Sequence, residues 1–88
     1  MITKEDIHYL SIMVSKLKRV KRVSKCCSKK RDIVFGELLS EVFLRFGIPG
    51  DPKVDPDKSI TMLEKFVFGQ RMASKEDRKE VLTILRNL

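Results

Sequence analysis

Nine of the 19 lysines and arginines fall between Lys16 and Arg31: Lys16, Lys18, Arg19, Lys21, Arg22, Lys25, Lys29, Lys30 and Arg31. No acid interrupts them. Ammonium and guanidinium groups at that density are anion chemistry, able to neutralise phosphates or carboxylates and to release their counterions. Removing these nine leaves ten cations against twelve acids, so the net charge of +7 belongs to one segment rather than to the whole chain. A block of like charge repels itself, which points to a partner that neutralises it. The ordinary alternative is a solvated helix face, but such faces mix both signs.

Other reactive side chains are few. His8 is the single histidine; with no Cys or second His at ligand spacing it reads as a surface residue rather than a base. Cys26 and Cys27 are the only cysteines and stand among cations that favour the thiolate. No base accompanies them, and adjacent cysteines neither close a disulfide readily nor make a zinc site alone. Gly36, Gly47, Gly50 and Gly69 fit neither the P-loop nor the dinucleotide fingerprint. Asp51, Asp55 and Asp57 alternate as calcium ligands do, but Pro52 and Pro56 break the EF-hand pattern and its closing Glu is missing. These residues predict no enzyme, no cofactor and no metal.

The elements that position the cations follow from periodicity. Thr3 and Asp6 resemble a capping box. The first predicted helix covers about residues 4–30, with Leu10, Met13, Leu17 and Val20 on one face and Ile7 and Val14 beside them. On that helix Lys18, Arg22, Lys25 and Lys29 form a separate basic stripe. Ser24, Cys26, Cys27 and Ser28 are mediocre helix formers, so fraying or a bend is expected there. Asp32 is the expected N-cap of a second helix, about 32–46, which buries Phe35, Leu38, Leu39, Val42, Phe43 and Phe46 and stops at Gly47. Pro49, Pro52 and Pro56 make residues 48–57 a stiff outer loop. A third helix, about 58–70, is capped by Asp57 or Ser59 and turns Ile60, Leu63, Phe66 and Val67 inward. A fourth, about 74–87, opens on Ser74-Lys75-Glu76-Asp77 and buries Val81, Leu82, Leu85 and Leu88. No stretch alternates with period two.

The fold class is therefore all-α: one compact domain, residues 1–88, of about four helices around a modest core, with the Pro-rich loop between helices two and three. The paired cysteines suit a reducing compartment, and no signal-like or membrane-spanning stretch appears, so a soluble cytoplasmic protein is expected. Monomer and homodimer both stay open. Helices three and four have roughly a helix-turn-helix outline, but Glu76, Asp77 and Glu80 crowd the end that should approach DNA, which favours simple helix packing. Four of the five Phe fall on core faces, which leaves little for base stacking.

Part of the chain resembles the small anti-sigma factors of T-even phages. The likeness runs from Phe43-Leu44-Arg45-Phe46-Gly47-Ile48 through Ser59-Ile60 to Ser74-Lys75-Glu76-Asp77-Arg78-Lys79. It covers the C-terminal half and consists of capping patterns; the basic block has no counterpart in that family. The resemblance implies an all-helical protein that binds a region of an RNA polymerase sigma subunit. The residues themselves lead elsewhere: to a small regulatory protein that holds nucleic acid, DNA or RNA, on its Lys/Arg-rich helix face. The alternative is a regulator that docks the same cations, beside exposed apolar residues such as Ile12 or Val23, on an acidic protein surface.

Overall fold

In the computed structural model, which describes residues 1–22, 28–53, 55–72 and 74–88, the chain folds as four helices. They are α1 (Lys4–Arg22), α2 (Ser28–Phe46), α3 (Pro56–Gly69) and α4 (Lys75–Arg86). Among the described residues the only β pairing is an isolated parallel bridge between Ile2 and Met72. No helix is long and apolar enough to cross a membrane, again among the described residues.

Several starts and stops among the described residues have a local cause. Asp6 N–H donates to Thr3 Oγ1 (3.2 Å) while Thr3 N–H donates to Asp6 Oδ2 (3.0 Å), the reciprocal box that opens α1. At the end of α2, Ile48 N–H donates to the Phe43 carbonyl (2.9 Å) and Gly47 N–H to that of Leu44 (3.4 Å), with Gly47 at φ +68°. This is a Schellman stop, and its left-handed residue is where glycine is needed. Ser74 Oγ accepts from Asp77 N–H (3.2 Å) to start α4.

Two starts differ from the sequence reading. Asp32 does not cap α2, which begins four residues earlier at Ser28, so Lys29 and Lys30, expected at the end of helix one, and Arg31, expected between the two helices, all stand in its first turn. Lys and Arg are good helix formers, and the propensity minimum at Ser24–Ser28 falls before them. The cap of α3 is Asp55, whose carboxylate accepts from Lys58 N–H (3.1 Å), instead of Asp57 or Ser59. Pro56 then occupies the first turn, where its missing N–H costs nothing, so the third proline opens a helix rather than excluding one.

Contacts at the helix ends fix the directions. Arg45 and Phe46, at the end of α2, touch Asp6 and Tyr9, near the start of α1, so the two helices form an antiparallel hairpin. Ile2 N–H donates to the Arg71 carbonyl (2.8 Å), which brings the end of α3 to the start of α1. Lys21 Nζ donates to the Leu88 carbonyl oxygen (2.8 Å), which brings the far end of α4 to the end of α1. Taking α1 as up, α2 and α3 run down and α4 runs up. α4 packs chiefly on α1 and α3 on α2.

Since α2 and α3 run the same way, residues 47–55 must climb back along α2. Ile48 and Pro52 are buried there, so the proline segment is in part a packed strap rather than an outer loop. The strap needs Gly36: a Cβ at that position would stand 3.0 Å from the Lys53 Cα. The core between the helices holds Ile7, Leu10, Met13, Val14 and Leu17 of α1, Phe35, Leu39, Val42 and Phe43 of α2, Leu63 and Val67 of α3, and Val81 and Leu85 of α4. Of the inward positions expected from periodicity, Val20, Leu38, Phe46, Ile60, Phe66, Leu82 and Leu88 are half-buried.

Candidate nucleic-acid interface

The antiparallel hairpin carries the basic residues to one end of the molecule. Lys16, Lys18, Arg19, Lys21 and Arg22 occupy the last turns of α1, and Lys29, Lys30 and Arg31 the first turn of α2. Lys25, Cys26, Cys27 and Val23 lie outside the described residues. Lys18 and Arg31 are half-buried and the other six described cations are exposed. Their acidic surroundings are sparse: among the described residues these eight form one ion pair, Arg31 Nε with Asp32 Oδ1 at 3.6 Å.

The continuous stripe expected on a single helix is redistributed. Lys18 and Arg22 share one line of α1, as their spacing requires, whereas Lys29 belongs to α2. Lys16 and Arg19 point away from that line, and Lys21 turns toward α4 to reach Leu88. The cations thus cover a pole of the hairpin rather than one helix face.

The dipoles there act in opposite senses. Cations at the end of α1 stand at the negative end of its dipole and stabilise it. The first turn of α2 has no acid and three cations, Lys29, Lys30 and Arg31, at the positive end of its dipole. That arrangement works against the helix and in favour of an anion held by these side chains.

A cavity of about 310 Å³ opens at this pole, lined by Lys21, Arg31, Asp32, Phe35 and Asp57. Among the described residues that line it, two cations face two carboxylates, so the net positive charge lies on the exposed pole around it. Exposed apolar groups adjoin the pole: Ile33 is 59% and Val34 42% exposed on the outward side of α2; Ile12, 44% exposed, lies farther off in the middle of α1. The sequence reading named Ile12 and overlooked Ile33 and Val34. Their signal was present, since both fall off the line of Phe35, Leu39 and Val42 on the helical wheel.

At the opposite pole Arg45 is held rather than free. Its guanidinium lies 4.5 Å from the Tyr9 ring centroid and 3.4 Å from Asp6, and Tyr9 meets Phe46 edge-on at 6.1 Å between centroids. The Thr3 backbone N–H holds the Asp6 carboxyl below its ordinary value of 3.8; the Thr3 hydroxyl and Arg45 add to this, and partial burial opposes it. Partial burial raises the Tyr9 phenol, with Glu41 adding to the shift and Arg45 opposing it. Among the described residues no three His, Cys, Asp or Glu side chains converge as metal ligands would. No protein-family model matches the chain, and no curated protein or solved structure is significantly similar to it.

Proposed function

We propose that this protein is a non-enzymatic regulatory protein that binds nucleic acid through the basic pole where α1 ends and α2 begins. One observation carries the reading: eight described cations gather at one end of the hairpin with a single internal ion pair, three of them where the α2 dipole disfavours them. Phosphates supply the missing counter-charge. The contacts are to the backbone, so affinity is high at low salt and nearly indifferent to sequence.

Fluorescence anisotropy with labelled duplex DNA and with RNA at two salt concentrations tests this. The expected result is micromolar or tighter binding that weakens steeply with salt. It should be lost in the Arg22→Glu/Lys29→Glu/Lys30→Glu variant, all three being exposed. Absence of binding to either polymer at low salt would overturn the reading.

A second reading has its own observation. Ile33 and Val34, exposed beside the cations, are the apolar anchors that docking on an acidic protein would use. An anti-sigma-like inhibitor of the transcription machinery is one form of it. Ile33→Ser/Val34→Ser separates the two: it would abolish protein binding while leaving affinity for nucleic acid within about threefold, a change near 0.6 kcal/mol.

A further inference from the structure

The pole continues into a row of donors. Lys4, His8, Ser11, Ser15, Lys18 and Arg22 recur every three or four residues along α1 and fall within about 40° of one line. All six side chains carry a hydrogen-bond donor and none is acidic. The row flanks the seam between α1 and α4, where two depressions meet at Ser11. One, of about 250 Å³, is lined by Lys4, Ile7, His8, Ser11 and Glu80; the other, of about 160 Å³, by Ser11, Val14, Ser15, Lys18, Ile84 and Asn87. Ser11 and Ser15, at the middle of the row, are small enough to leave the seam open.

We infer that the α1–α4 seam is the track for a nucleic-acid backbone that enters at the basic pole. The inference rests on the nucleic-acid reading and extends it from an end-on contact to a path. Lys18 and Arg22 meet the phosphates next to the pole, the Ser11 and Ser15 hydroxyls donate to those over the seam, and His8 and Lys4 take the far end. Glu80 is the one acid among the described lining residues, and with the exposed Glu76 one turn earlier on α4 it bounds the track on the α4 side at the Lys4 end. From Lys4 to Arg22 the row is about 27 Å long at 1.5 Å per residue. With the duplex axis parallel to α1, about 3.4 Å of axial rise per base pair makes that length roughly eight base pairs.

The test places one negative charge in the seam and the same charge elsewhere. Ser15→Glu acts at the middle of the row; Thr61→Glu makes the same change on the exposed side of α3. Anisotropy with duplexes of increasing length should show Ser15→Glu weakening binding at least tenfold and Thr61→Glu by less than threefold. Ser15→Arg, which misfolding cannot imitate, should tighten it severalfold. Wild-type affinity should rise with duplex length up to about the roughly eight base pairs given by the strand rise and then level. If the wild type binds but Ser15→Glu behaves as Thr61→Glu does, the track is wrong and the pole stands. If the wild type does not bind at all, both fall.

Discussion

Gly36 and Gly69 separate two effects of the same residue type. A methyl at Gly36 meets the Lys53 backbone at 3.0 Å, whereas at Gly69 nothing lies within 4 Å. Gly36→Ala gains about 1 kcal/mol of helix propensity but must push the strap away, an overpacking cost of about 1–3 kcal/mol. The expected outcome in urea denaturation is a net loss for Gly36→Ala and a small gain for Gly69→Ala. Asp6 gives a pH prediction with a definite sign. Its folded pKa lies below the ordinary 3.8, so its contribution to stability is present above that value and is lost as pH falls through the folded one. Asp6→Asn should therefore flatten the decline in stability below about pH 4, as read by thermal unfolding across that range. Neither Gly36 nor the Asp6–Arg45 contact was legible in the sequence. Each depends on a partner that only the fold brings close, Lys53 in one case and Arg45 in the other. The Thr3–Asp6 box was legible because both its residues lie within one turn.

At the scale of the element, α2 holds an arrangement that its own stability does not favour. Reversing Lys30 to Glu places an acid in the first turn beside the positive end of the dipole, which typically stabilises a helix by about 0.3–1 kcal/mol at low salt. Lys30→Glu should raise the unfolding midpoint and at the same time weaken nucleic-acid binding. A drop in both would mean that Lys30 is structural. All four helices and their inward faces could be read from periodicity, because burial in a bundle this small leaves one stripe per helix to fill. The helix starts were harder. Asp32 and Asp57 are good cap residues, but the good helix formers Lys29–Arg31 precede one of them, and Asp55 with Pro56 makes a better start than the other. That shift of four residues moved Lys29 and Lys30 from the first helix to α2, took in Arg31 from between the two, and turned the expected stripe into a pole.

The whole molecule measures 43 × 23 × 18 Å, an elongated body with eight described cations at the pole where α1 ends and α2 begins. The charge block itself was plain in the sequence. Its placement required the directions of α1 and α2, which were not, since antiparallel packing is set by contacts such as Arg45 with Asp6 and Tyr9 at the other end. Such a body presents phosphates with a compact cluster of cations, so counterion release should dominate its binding. The most direct measurement is the affinity for duplex DNA as a function of salt, for the wild type and for Lys30→Gln. With about five phosphates neutralised, log affinity should fall linearly with log salt at a slope of about −4.5, and Lys30→Gln should reduce that slope by about one. An affinity that ignores salt, or a slope unchanged by Lys30→Gln, would contradict a basic pole that binds through phosphates.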